Sequence, residues 1–169
     1  RRSTAKRTAA LALTAALVVG MTIPAFADTW YIENGDISIS AGTNGNKVTQ
    51  GSTTKENDTD TVIKSNGSST ASSNTVTIDA GEGETVNVTL DNVNINTSKT
   101  GDAAVSVTGS GNTNIELNGN NTLTSGSGHA GLEHNKETNS EGKETSGTLT
   151  ITDNNNDGKL TANGGAGSA

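Results

Sequence analysis

The chain has 169 residues, no Cys, one Trp, one Tyr and one Phe, and a net charge of −7 from 11 Lys and Arg against 18 Asp and Glu. Zero Cys excludes a disulfide framework and a thiolate metal site. An acidic chain with neither a basic patch nor a set of stacking aromatics is not expected to take nucleic acid as a partner.

Residues 1–27 stand apart from the rest. Arg1, Arg2, Lys6 and Arg7 make a basic start, an apolar run extends from Ala9 to Ile23, and Pro24 leads into Ala25-Phe-Ala27 and then Asp28. This order of basic, apolar and small-x-small residues predicts a secretory signal peptide. The run is short for a membrane span of about 20 residues. Ser3-Thr-Ala5 supplies none of the apolar residues that follow the arginine pair on the twin-arginine route, so general export is expected. The chain starts without Met, and an initiator is expected to precede it. Cleavage would take away all three Arg and leave every acidic residue behind, for a mature charge of about −11. The expected location is secreted or at a bacterial cell surface, with a membrane met only through the signal peptide.

Residues 28–73 are expected to form an irregular N-terminal cap and first coil. The adjacent Trp30 and Tyr31 are placed over the N-terminal end of the domain. Between Gly42 and Ser73 the chain is rich in Thr, Ser, Asn and Gly, with Val48, Val62 and Ile63 as its apolar anchors.

Residues 74–169 alternate apolar and polar positions in short bursts. Val76-x-Ile78, Val86-x-Val88-x-Leu90, Val93-x-Ile95, Val105-x-Val107, Ile115-x-Leu117 and Leu149-x-Ile151 are separated by Gly, Asn, Asp and Ser. A period of two predicts strands with one buried face, and the intervening residues predict tight turns. Helical spacing is missing after residue 27, so helix content should be near nil. The bursts recur in groups of three. If the polar stretch Glu133 to Gly147 is a loop pushed out of one turn, about 20 to 25 residues make one coil, within the range of solenoids. The expected fold is all-β, a parallel β-helix with coils about 4.8 Å apart, and Asn92, Asn120 and Asn121 are candidates for ladders at its turns. An antiparallel β-sandwich is the alternative. The glycine-rich run from Gly164 looks like the inside of another turn, and the chain is expected to continue beyond it.

Blocks along the chain resemble a known family. They are Trp30-Tyr-Ile-Glu-Asn-Gly-Asp-Ile37, Asn87-Val-Thr-Leu-Asp-Asn-Val-Asn-Ile95, Ile115-Glu-Leu-Asn-Gly-Asn-Asn-Thr-Leu123, His129-Ala-Gly-Leu-Glu-His134, and Leu149-Thr-Ile-Thr-Asp153 up to Gly158-Lys-Leu-Thr-Ala162. Together they resemble secreted or cell-surface bacterial carbohydrate-binding domain proteins of the polygalacturonate-binding type. The resemblance covers most of the chain from Trp30 onward. It implies a right-handed parallel β-helix similar to the pectate-lyase fold, and calcium-assisted binding of acidic plant polysaccharide without cleavage. It assigns no binding position.

The sharpest local motif is Asp153-x-Asn155-x-Asp157-Gly158. Side-chain oxygens at alternating positions, with Gly for the bend, are what calcium needs to gather ligands, so Asp153, Asn155 and Asp157 are the candidate metal ligands. Position 12 of an EF-hand loop would here be Gly164 instead of a bidentate Glu, and flanking helices are missing, so the motif is not an EF-hand. An Asx-rich turn needs no metal and is the alternative. His129, Glu133 and His134 match no zinc-protease spacing and are expected at turns or on the surface.

Catalysis is not expected. The Arg base of a pectate-type lyase has no counterpart after residue 27, and the pair Glu82 and Glu84 lies in a turn segment, where a hydrolase needs opposed carboxylates. The expected function is a non-catalytic extracellular module that binds polysaccharide, with calcium bridging a polyuronate to the acidic surface. A structural stalk or adhesin repeat of a bacterial surface protein is the alternative.

Overall fold

Alternating Val, Ile and Leu with Thr, Asn and Ser makes strands that pack one face and solvate the other. The structure, a computed structural model, describes residues 28–167, so the expected signal peptide at residues 1–27 lies outside the described residues. The N-terminal part holds β1 (Thr29–Tyr31), β2 (Ile37–Gly42), β3 (Gly45–Gln50), β4 (Thr53–Asp58) and β5 (Thr61–Lys64). Three groups of three strands follow. They are β6 (Val76–Asp79), β7 (Thr85–Asp91) and β8 (Asn94–Asn96), then β9 (Val105–Thr108), β10 (Asn112–Asn118) and β11 (Asn120–Thr124), then β12 (Leu132–Glu133), β13 (Leu149–Thr152) and β14 (Lys159–Asn163). Among the described residues the only helical turn is a 3-10 turn at Ile32–Asn34.

The strands assemble into three sheets: sheet A in the order β1-β5-β7-β10-β13, sheet B in the order β4-β3-β2-β6-β9-β12, and sheet C in the order β8-β11-β14. Each group of three gives its first strand to sheet B, its second to sheet A and its third to sheet C. All pairs in sheets A and C are parallel, and antiparallel pairing between strands is confined to β2-β3-β4. The antiparallel sandwich does not describe this arrangement.

Parallel register stacks like on like. Ile63, Leu90 and Leu117 form one inward column of sheet A, and Val88, Ile115 and Ile151 form a second. Ile37, Val76, Val105 and Leu132 line sheet B, and Ile95, Leu123 and Ala162 line sheet C. Apart from Ile151 and Ala162, which are exposed, the residues of these columns belong to or pack against one continuous core. Burying each Ile or Leu fully stabilises by about 1.5–3 kcal/mol, so a sparse supply of aliphatics suffices when nearly all are placed inward.

Equivalent residues of sheet A such as Asn87 and Asn114 are 27 positions apart. The repeat is therefore longer than the 20 to 25 residues expected. Much of the repeat lies in connections such as 97–104 and 125–131, whose Gly and Ser residues carry no alternation. Asn92 takes φ 53° and Gly119 takes φ 60° at one corner, a conformation that costs most side chains and suits Gly and Asn. The next step, from Glu116 to Thr152, spans 36 positions. The excess is a small antiparallel excursion in which Glu137 O accepts from Thr145 N–H and Lys143 O from Asn139 N–H, both at 2.9 Å. It falls inside the stretch expected to be pushed out.

The stretch from Gly42 to Ser73, expected to be irregular with long loops, contains β3, β4 and β5. Strand β4 is mostly exposed, Thr53–Asp58 with only Asp58 buried. It is held by antiparallel pairing to β3 and offers no alternation to read. At this end of the stack Trp30 is buried at 6% exposure, and its indole N–H donates to Asp58 Oδ2 at 3.0 Å. Asp58 is fully buried and also accepts from the Asp28 and Asp60 backbone N–H groups. Trp30 thus covers the core as expected, while Tyr31 points out of it.

Candidate functional site

Outward positions of sheet A are as regular as the inward ones. Asn87 lies over Asn114 and Thr150, Thr89 over Glu116 and Thr152, and Lys64 over Asp91 and Asn118. The parallel pleat brings equivalent polar groups to one spacing along the stack. Asn114 Nδ2 donates to Asn87 Oδ1 at 2.9 Å, an amide ladder between the paired strands β7 and β10. Lys64 Nζ lies 2.8 Å from Asp91 Oδ2, and this hydrogen bond and the Asp91 charge raise the Lys64 pKa. A shallow groove of about 320 Å³ runs across the strands, lined by Asp60, Asn87, Thr89, Asn114, Glu116 and Asn154.

Glu116 ties the C-terminal side of this groove to the corner that follows β13. Its Oε1 accepts from Asn154 N–H at 2.6 Å, and its Oε2 accepts from Asn154 Nδ2 at 2.7 Å and from the Thr152 hydroxyl. That corner is the Asp153–Gly158 motif. It stands where one or two residues, Asn92 with Val93 and then Gly119, join the sheet A and sheet C strands of the two earlier groups.

Within the corner, Asp153 Oδ1 accepts from Asp157 N–H at 3.1 Å and from Gly158 N–H at 3.0 Å. Asn155 Oδ1 accepts from Asp157 N–H at 3.4 Å, and Asn155 Nδ2 donates to Asn118 Oδ1 at 3.2 Å. Asp157 Oδ1 accepts from Gly119 N–H at 3.4 Å, across to the residue that joins β10 and β11. Asp153 and Asn155 therefore meet at one backbone N–H, while Asp157 reaches back toward β11. The donor chemistry suits a hard cation, because all three side chains offer oxygen. They are too few to fill its usual six to eight positions. Among the described residues no group of three or more His, Cys, Asp and Glu is disposed to hold a metal ion.

The two His residues occupy turns on the sheet B side. His134 ring nitrogens lie 3.2 Å from Val107 O and 3.0 Å from Gly147 O, bridging β9 and the segment that leads into β13. Glu133 Oε2 faces His129 Nδ1 at 2.9 Å and accepts from Ala130 N–H at 3.2 Å, while Oε1 accepts from Asn135 Nδ2 at 2.8 Å. Burial raises the Glu133 pKa, but the hydrogen bonds from His129, Ala130 and Asn135 and the attraction of His129 together outweigh it and hold the carboxyl below its ordinary value.

Sequence reasoning named the corner motif and missed the groove. Asp60, Asn87, Glu116 and Asn154 are ordinary polar residues in the sequence, and they converge only when the 27-position register is known. The signal available was the outward position of each alternating burst, one per repeat. No family model, no curated protein and no solved structure matches the chain.

Proposed function

We propose that the three sheets are the faces of a right-handed parallel β-helix, and that the outer face of sheet A is the binding surface of a non-catalytic, extracellular polysaccharide-binding module. The β-helix is supported by the recurrence of one strand per sheet in each circuit. The resemblance to secreted bacterial carbohydrate-binding domain proteins supports the hand of the helix and the class of ligand. A signal peptide at residues 1–27 would deliver the module outside the cell or to the cell surface.

One observation carries the binding reading. Asn87 and Asn114, and Thr89, Glu116 and Thr152, repeat along the stack at the spacing of the strands. A polymer laid across the strands meets a like group at each step, so many weak hydrogen bonds add with a single registration. An acidic plant polysaccharide would be repelled by the net negative charge unless a cation intervenes. Asp153, Asn155 and Asp157 would hold calcium beside the groove, and the ligands they leave open suit carboxylates of the polymer. Calcium supplies a charge bridge and nothing else in this reading.

Retention on immobilised polygalacturonate tests it. The chain from Asp28 onward is expected to bind with calcium present, to elute with a chelator, and to release no unsaturated or reducing-end products. Equal retention with chelator would reject the calcium bridge. Absence of retention in both buffers would reject the polyuronate.

A structural stalk or adhesin repeat is the second reading. It draws on the recurrence of the three-sheet pattern, since β12, β13 and β14 repeat the order of the two groups of strands before them. Failure to bind any glycan on an array would favour it.

A further inference from the structure

We propose that Tyr31 is a stacking platform for one sugar ring at the N-terminal end of the outer face of sheet A, and that the adjacent Lys64 selects a hexuronate for that place. The proposal rests on the polysaccharide reading above and adds a specific subsite to it.

Strand alternation sends the two neighbouring aromatics to opposite faces. Trp30 is inward and buried, whereas Tyr31 is 41% exposed and, with Ile151, one of two large apolar side chains left open among the described residues. Ile151 belongs to an inward column at the end of the stack. Tyr31 belongs to an outward one: its strand partner is Lys64, the partner of Lys64 is Asp91, and the partner of Asp91 is Asn118. The phenol ring therefore stands at the head of a column of hydrogen-bonding groups. Gln50 Nε2 donates to the backbone carbonyl of Tyr31 at 2.8 Å, so a main-chain hydrogen bond helps to hold the strand.

A pyranose presents a C–H face and a polar rim. The electron-rich face of an aromatic ring attracts C–H groups, while the tyrosine hydroxyl stays in water. The surrounding column offers Lys, Asp and Asn to the rim. A protein partner would need a broader apolar surface than Tyr31 and the half-buried Val62 offer among Lys, Asp and Asn, so a sugar is the better match. Lys64 decides between sugars. Its ammonium carries three donors, and the 2.8 Å contact to Asp91 uses one. A carboxylate on the stacked ring would take a second in a charge-assisted hydrogen bond, which a neutral hexose has no group to make.

Affinity electrophoresis through gels containing polygalacturonate and calcium tests the assignment, with a neutral glucan gel as reference. Relative to the parent chain, Tyr31→Ala and Tyr31→Thr are expected to weaken binding roughly three- to tenfold, and Tyr31→Phe to stay within about twofold. Lys64→Gln is expected to reduce binding to the polyuronate and leave the neutral gel unchanged. Tyr31→Thr keeps a good strand former, so a loss seen in both Tyr31→Ala and Tyr31→Thr with unchanged melting temperatures reports the ring. If the parent binds and these two variants bind equally well, the stacking platform is overturned while the polysaccharide reading stands. If Tyr31→Phe loses as much as Tyr31→Ala, the hydroxyl and not the ring face makes the contact, and the platform is again overturned. A parent chain that fails to bind takes both proposals down.

Discussion

Thr113 occupies an inward position between Val86 and Leu149, is 1% exposed, and its hydroxyl has no hydrogen-bond partner. A buried polar group left unsatisfied costs about 1–3 kcal/mol, whereas an apolar group of the same shape does not. Thr113→Val is therefore expected to stabilise the fold by about 1 kcal/mol, read as a higher urea midpoint at unchanged slope. A lower midpoint would mean that the hydroxyl has a partner. Asn121, also 1% exposed, shows the opposite situation: its Oδ1 accepts from Val93 N–H at 2.9 Å and its Nδ2 donates to Asn118 O at 3.1 Å. Asn92 does similar work, its Oδ1 accepting from Asn120 N–H at 3.0 Å. The sequence suggested Asn92, Asn120 and Asn121 as an amide ladder. In the structure Asn92 and Asn121 join successive groups of strands through backbone groups, and a ladder of amide on amide is found on the strands, at Asn87 and Asn114.

At the scale of the element, the two-residue strand β12 depends on its flanking turn. Glu133 organises that turn by engaging His129, Ala130 and Asn135, and its pKa is lowered from an ordinary 4.5. A carboxyl whose folded pKa is depressed contributes stability above its unfolded value and loses it as pH falls through the folded one. The parent chain and Glu133→Gln should therefore differ in thermal midpoint at neutral pH, with the parent higher, and converge as pH drops below the ordinary carboxylate range. A gap that stays constant down to that range would remove Glu133 from the account. Which elements could be read beforehand follows from the same physics. Strands with one buried face, such as Val86-x-Val88-x-Leu90, announce themselves by alternation. Strand β4 has little to bury and β12 is too short to alternate, so neither carries a pattern. The Asp153–Gly158 corner was legible because its donors are adjacent in sequence, and the groove was not because Asp60, Asn87, Glu116 and Asn154 come from four separate segments.

Across the whole molecule, the value of an inward side chain should depend on its place in the stack. Ile115 and Ile151 are partners in one column of sheet A, with the same residue type, the same face and the same strand position. Ile115 has Val88 on one side and Ile151 on the other and is fully buried, while Ile151 is covered from the Ile115 side and remains 43% exposed. Removing Ile115 takes apolar area from a filled column and leaves a cavity that neighbours on both sides cannot close. Ile115→Ala should cost about 2–5 kcal/mol. Ile151→Ala removes atoms already partly in water and leaves no enclosed void, so it should cost less than about 1.5 kcal/mol. Denaturant unfolding of the two variants measures the difference directly. Each inward residue of a parallel sheet is covered by its register partners on either side, so the residue with two covering partners must outweigh the residue with one. Equal losses at the two positions would mean that something covers Ile151 in solution, and would turn attention from the polar groove to the end of the stack.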